Sequence, residues 1–86
     1  MAEKQTDVIE FEFRGMKFLA DANVIRNYAA IKRMSLVETD PVGYFTTLSE
    51  IFTGRDEEYV DMLGGEVSDM GGLYTAAVQA VGAKNS

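Results

Sequence analysis

One stretch near the beginning of the chain decides its fold class: Ile9-Glu10-Phe11-Glu12-Phe13-Arg14-Gly15-Met16-Lys17-Phe18. Apolar residues at positions 9, 11 and 13 alternate with acids at 10 and 12, and this period of two is typical of a β-strand with one buried face. A two-residue turn at Arg14-Gly15 predicts a β-hairpin with the cross-strand pairs Phe13–Met16, Glu12–Lys17 and Phe11–Phe18. Arg14 is an unusual first turn residue, so a bulged turn is the alternative. A lone hairpin needs helices on its apolar face.

The rest of the chain has the period of amphipathic helices. The pattern predicts about four of them, and therefore an α+β domain in which the hairpin packs on a small helical cluster. The first helix is capped by Asp21 or Asn23 and runs to about Met34. The second begins at Asp40-Pro41 and ends at Gly54. The third is opened by acids at 56–58 and stopped by Gly64-Gly65, and Ser68 can cap the last.

The predicted core is the apolar stripe of each helix. On the first helix the stripe is Val24, Ile25, Tyr28 and Ile31. On the second it is Tyr44, Phe45, Leu48, Ile51 and Phe52, with Thr46, Thr47, Ser49, Glu50 and Thr53 opposite. The apolar residues of the third helix are Tyr59, Val60, Met62 and Leu63. The last contributes Met70, Leu73, Tyr74, Ala77, Val78 and Val81.

Length limits the chain to one domain, because 86 residues are near the lower end of what folds on a single core. We expect a disordered lead-in at residues 1–7, a single domain at 8–83 and a disordered tail at 84–86. The polar first residues lack the apolar core of a signal peptide. No run reaches the roughly 20 apolar residues of a membrane-spanning helix. The expected location is a cytoplasm, with no membrane partner.

Composition argues against an enzyme. The chain has neither cysteine nor histidine, so it lacks thiolate nucleophiles, disulfides, the commonest general base and the commonest zinc ligand. No pair of carboxylates stands out from the surface charge. We therefore expect no catalytic residues, no cofactor and no metal site.

Charge argues against a nucleic-acid partner. Fourteen acids against eight bases give a net charge of −6, which repels a phosphate backbone. The acids concentrate at Asp56, Glu57, Glu58, Asp61, Glu66 and Asp69. Their spacing does not match a calcium-binding EF-hand loop, since Val67 stands where the twelfth-position glutamate is needed. A helix N-terminus and a solvated face explain the cluster, and the alternatives are steering of a basic partner and weak binding of a divalent cation.

The last helix carries the candidate binding surface. It has no charged residue from Met70 to Ala83, whereas a solvated helix face normally carries Lys, Glu or Arg. The side opposite its core stripe has small residues at spacing four, which permit close approach of another helix. We call this the predicted docking face: Gly72, Thr75, Ala76, Gln79 and Ala80. Its occupant would be a partner or a second copy in a homo-oligomer. The alternative is that the domain itself buries this helix on both sides.

The order of these elements resembles the small tail assembly chaperones of long-tailed bacteriophages. The resemblance rests on the hairpin Phe11-Glu12-Phe13-Arg14-Gly15-Met16-Lys17-Phe18, on Asp40-Pro41 leading into an aromatic-rich helix with Tyr44-Phe45 and Leu48, and on an acidic short helix before a glycine-punctuated last helix. It extends over residues 8–81. It implies a protein absent from the finished virion that coats the apolar, helical tape measure protein before tail tube subunits polymerise around it. The implied partners are the tape measure protein and the tube subunits.

Two rival functions fit the same composition. A small acidic inhibitor could mimic DNA and block a basic nucleic-acid-binding protein, and its affinity would collapse with added salt. A minor structural tail or head–tail connector protein would instead remain in finished particles.

Overall fold

Two strands are followed by helices, in the order that the residue patterns predict. The computed structural model describes residues 7–84, and in this part of the chain a two-stranded antiparallel sheet precedes five helices. The elements are β1 (Val8–Phe13), β2 (Met16–Asp21), α1 (Ala22–Ile25), α2 (Tyr28–Ser35), α3 (Pro41–Ile51), α4 (Asp56–Leu63) and α5 (Val67–Lys84). The predicted α+β architecture, a hairpin with a small helical cluster, is confirmed.

The predicted lead-in at 1–7 and tail at 84–86 lie largely outside the described residues. The described part of the lead-in is Asp7, whose carbonyl oxygen accepts a hydrogen bond from the Ala22 N–H at 2.9 Å. Its carboxylate lies 2.6 Å from Nη2 of Arg26. Asp7 is thus bonded to the first helix and to the residue that follows it. Lys84 is the last residue of α5.

The hairpin has the predicted register, with Phe13 opposite Met16, Glu12 opposite Lys17, and Phe11 opposite Phe18. Arg14 and Gly15 form the two-residue turn, and both have positive φ, at 54° and 78°. This is the backbone of a type I′ turn, whose twist matches that of the strands, so the turn is not bulged. Phe11 and Phe18 are buried with their ring centroids 6.0 Å apart.

The prediction of a single helix from Asp21 or Asn23 to Met34 is wrong, because the helix is interrupted at Arg26 and Asn27. Asp21 caps the short α1 by accepting from the Asn23 N–H, and Asn27 caps α2 by accepting from the Ala30 N–H, each at 2.9 Å. The restart at Asn27 changes the helical phase. Tyr28, predicted in the core, is therefore 81% exposed, while Ala30 and Met34 are buried.

The boundary at Asp40-Pro41 is confirmed, since the Asp40 carboxylate accepts from the Gly43 N–H at 3.1 Å and Pro41 begins α3. Two residues of this helix differ from the prediction. Phe45 is half exposed, and Thr47, predicted on the solvent face, is fully buried. Thr47 is buried because Arg33 of α2 reaches it: Nε of Arg33 donates to the Thr47 hydroxyl at 2.8 Å.

Helices α4 and α5 are separated by Gly64 and Gly65, as predicted, and both glycines have positive φ. Glu66 immediately precedes α5, and Oδ2 of Asp69 accepts a hydrogen bond from the Glu66 N–H at 3.1 Å. This bond is one half of a capping box. The predicted cap at Ser68 is wrong, because Ser68 lies within α5.

The core lies between the apolar face of the hairpin and the helices. Tyr59 of α4 is at its centre, with its ring edge-on to Phe18 at 4.9 Å and to Phe52 at 5.9 Å. Its hydroxyl accepts a hydrogen bond from the Leu19 N–H at 3.3 Å. From α5, the predicted residues Met70, Leu73, Ala77 and Val81 are buried. The core stripe of α5 is thus mostly confirmed, with Tyr74 half-buried and Val78 exposed at its margin.

Candidate functional site

The structure divides the predicted docking face of α5 into two parts. Thr75 and Gln79 are exposed, whereas Gly72, Ala76 and Ala80 are half-buried. Ala76 and Ala80 pack against the edge of the hydrophobic core. The row of small residues therefore serves packing inside the domain at least in part, and Thr75 and Gln79 are the members free to meet a partner.

Gly72 has a specific internal neighbour. A Cβ atom at this position would lie 3.0 Å from Cζ of Phe13, which is closer than side chains normally pack. The absence of a side chain at Gly72 thus lets α5 lie against the end of β1. The small residue at position 72 predicted close approach of another group. In the structure that group is Phe13 of the same chain.

A second surface, which the residue pattern did not predict, lies on the other side of α5. It is an open groove of about 260 Å³ between α3, α4 and the start of α5. We call it the α3–α5 groove; it is lined by Tyr44, Phe45, Leu48, Asp56, Glu57, Val60, Gly65, Glu66, Val67 and Met70. Leu48 and Met70 are buried, whereas Phe45 and Val67 are 51% and 74% exposed.

The apolar surface continues beyond the groove along α5. Val67, Met70, Tyr74 and Val78 follow one another at spacings of three and four, which places them on one side of the helix. Val78 is exposed, and it is three residues from Thr75, so the row approaches the exposed part of the predicted docking face. The exposed Val67 and Val78, with the half-buried Tyr74 between them, therefore extend the apolar part of the groove along α5.

Tyr74 is the first residue of this row beyond those that line the groove. Burial raises the pKa of its phenol above the usual 10.0, and the nearby phenol of Tyr44 raises the pKa further because two phenolates repel each other. Tyr44 lines the groove and makes an edge-on contact with Phe45 at 5.1 Å between ring centroids. Tyr44, which lines the groove on α3, is therefore near Tyr74, which belongs to the row on α5 but does not line the groove.

Acidic side chains surround the groove. Asp56 and Glu57 come from the first turn of α4, and Glu66 precedes α5. None of the residues that line the groove is basic. The remaining acid of the α5 N-terminus, Asp69, is bonded instead to Arg14 of the hairpin turn at 2.9 Å. The six acids that the sequence shows as one group are therefore divided: Asp56, Glu57 and Glu66 line the groove, Asp69 forms a structural ion pair, and Glu58 and Asp61 are exposed on α4 outside the groove.

The residue pattern does not predict the exposure of Phe45 and Val67. Phe45 belongs to the same apolar stripe of α3 as Leu48 and Ile51, which are buried, and the stripe alone does not indicate which of its members a neighbouring helix covers. The exposure of Val67 likewise depends on how the start of α5 packs against the other helices.

The described residues show neither a metal site nor a membrane-spanning segment. No group of three or more acidic, histidine or cysteine side chains in residues 7–84 is placed to hold a metal ion. In the same residues no helix has the length and apolar character needed to cross a bilayer. Comparison of the chain with protein-family models, curated proteins and solved structures finds no match.

Proposed function

We propose that this protein is a phage tail assembly chaperone, which binds an apolar helical segment of the tape measure protein before the tail tube polymerises. The observation that supports this proposal best is the α3–α5 groove, in which Phe45 and Val67 present apolar surface next to the uncharged length of α5. An apolar groove between helices is the usual receptor for the apolar face of a partner helix.

The proposed role follows from the physical chemistry of such a target. A long chain with apolar helical stripes aggregates when it is left uncovered. Many copies of a small acidic protein would cover the stripes, and their net charge of −6 each would keep the complexes apart. Weak contacts repeated along the target give avidity without a tight single site. Tail tube subunits could then displace the chaperone by competing for the same stripes, in the host cytoplasm, without any chemical step.

Co-purification tests the proposal. The tagged chain is expressed together with the tail proteins of the phage that encodes it, and the proteins that elute with it at low and at high salt are identified by mass. We expect a long helical protein that stays bound at high salt, because apolar contacts are screened little by ions. A basic DNA-binding companion that is lost at high salt would instead establish the acidic inhibitor. Recovery of the chain from finished particles would establish a structural tail component.

A matched pair of variants locates the contact. Phe45→Glu introduces a charge into the groove, whereas Val42→Glu introduces the same charge one turn earlier on α3, at a residue that is 75% exposed and does not line the groove. We expect Phe45→Glu to abolish recovery of the companion and Val42→Glu to leave it unchanged. Equal recovery with both variants, with both proteins folded by circular dichroism, would contradict the groove as the contact surface.

A further inference from the structure

We infer that the α3–α5 groove recognises a basic amphipathic helix: a segment with two apolar side chains one turn apart and Lys or Arg residues beside them. This inference rests on the proposed function, because it specifies the chemistry of the segment that the protein binds. The same groove has an apolar floor, which includes Phe45, Leu48 and Met70, and an acidic margin of Asp56, Glu57 and Glu66. This combination supports the inference.

The shape of the groove favours the side chains of a partner helix over an enclosed small molecule. Its volume of about 260 Å³ is close to the lower end of the roughly 300–1,000 Å³ that is typical of small-molecule sites. The groove is open along one side of α5, and its apolar contacts come from three different helices. This shape fits anchoring side chains that project from a partner helix at spacing three or four, as in other helix-in-groove complexes.

The charge around the groove selects the flanking residues of that helix. Asp56, Glu57 and Glu66 all line it, and no lysine or arginine does. An apolar segment flanked by acids would be repelled from this margin, whereas Lys and Arg have stems long enough to lie on the apolar floor while their charges reach the carboxylates. Electrostatic complementarity of this kind sets specificity and association rate more than total affinity.

The same charge argues against a second copy as the occupant. Each copy carries a net charge of −6, and the described residues 70–83 of α5 are uncharged. A copy that docked through this part of α5 would bring no base to the groove acids, and two chains of net charge −6 would repel each other. The complementary partner is a basic helix of another protein.

Two synthetic helical peptides test this inference directly. Both carry the same leucines at spacing four; one has lysines at the flanking positions and the other has glutamates. Binding to the full chain is followed by fluorescence anisotropy of labelled peptide at low and at high salt. We expect the lysine peptide to bind at least about tenfold more tightly at low salt, and the difference to shrink as salt screens the margin.

Variants of adjacent residues provide the control. Glu57 and Glu58 both lie in the first turn of α4, but only Glu57 lines the groove. Glu57→Gln should weaken the lysine peptide roughly two- to fivefold, the range for one exposed ion pair, and Glu58→Gln should not. Phe45→Ala should weaken both peptides, because both use the apolar floor.

The outcomes separate this inference from the proposed function. Equal affinity of the two peptides, or equal effects of Glu57→Gln and Glu58→Gln, would overturn the inference of a basic partner. If neither peptide bound but the chain still co-purified with a tape measure protein, the inference would fail and the proposed function would stand. If the lysine peptide bound as expected and no tape measure protein co-purified, the inference would stand on its own as a general basic-helix site.

Discussion

Arg14 and Asp69 are 55 positions apart in the chain, yet Nη1 of the arginine donates to Oδ1 of the aspartate at 2.9 Å. The same Nη1 donates to the Leu63 carbonyl oxygen at 3.2 Å, at the end of α4. Asp69 in turn accepts from the Glu66 N–H through its other oxygen. The tip of the hairpin is thereby attached to the connection between α4 and α5, next to the place where Glu66 and Val67 enter the groove.

Removal of this attachment should destabilise the domain. Arg14→Ala loses both hydrogen bonds and the contact of the guanidinium with the Phe13 ring, whose centroid is 5.0 Å away. Because the arginine is about half exposed, we expect a loss of only about 1–2 kcal/mol in the free energy of unfolding. Lys17→Ala, on the outer face of the same hairpin, should cost less than about 0.5 kcal/mol. Urea unfolding followed by circular dichroism measures both, and equal losses would contradict the attachment.

The glycine pair of α5 offers a test of close packing. Nothing lies within 4 Å of a Cβ built on Gly71, whereas a Cβ on Gly72 meets Phe13 at 3.0 Å. Gly71→Ala should therefore stabilise the protein by about 0.5–1 kcal/mol through helix propensity. Gly72→Ala should lose at least that gain to the contact with Phe13, and adding Phe13→Leu should recover part of it. Thermal unfolding of the three variants gives the comparison, and identical shifts for both glycines would show that the ring moves aside freely.

Buried Thr47 should tolerate substitution less well than its neighbour. Its hydroxyl donates to the Gly43 carbonyl oxygen and accepts from Nε of Arg33, each at 2.8 Å. Thr47→Val keeps the shape but removes both bonds and leaves the arginine nitrogen without its partner. We expect a loss of about 1–2 kcal/mol in the free energy of unfolding. Thr46→Val makes the same change at an exposed position and should lie within about 0.5 kcal/mol of the parent protein. Chemical denaturation that fails to separate the two would refute the bond network.

Alkaline pH should destabilise the domain through Tyr74. Its folded pKa is raised above 10.0 by burial and by Tyr44, so the folded state holds the phenolic proton more tightly than the unfolded state does. The stability that Tyr74 contributes is fully present below its pKa in the unfolded state. It is lost as the pH rises through the pKa of Tyr74 in the folded state. The stability difference between the parent protein and Tyr74→Phe should therefore be constant at neutral pH and shift in favour of the variant above about pH 10.

Tyr44→Phe tests whether the phenol of Tyr44 contributes to the raised pKa of Tyr74. It removes the neighbouring phenolate but leaves the burial of Tyr74, so the pKa of Tyr74 should fall and still remain above 10.0. Nuclear magnetic resonance titration of labelled tyrosine rings measures the value. An unchanged pKa in Tyr44→Phe would show that burial alone raises it.

Short-range patterns in the sequence predicted the local structure well. The alternation at 9–13 and the turn at Arg14-Gly15 predicted the hairpin register residue by residue, because strand pairing next to a tight turn depends on adjacent positions. Asp40-Pro41 and Gly64-Gly65 likewise predicted helix boundaries, since caps and positive-φ residues act on their own backbone. The residue pattern does not indicate the break at Asn27, because asparagine occurs both at helix N-caps and within helices.

The sequence by itself determined the hairpin, most helix ends, the net charge of −6 and the uncharged last helix. Each of these depends on residue type or on neighbours a few positions away. Only the tertiary structure decided that Thr47 is buried under Arg33, that Gly72 faces Phe13, and that Phe45 and Val67 remain exposed beside three acids. These outcomes depend on how helices distant in sequence pack together, and that packing determines which part of an apolar stripe is covered.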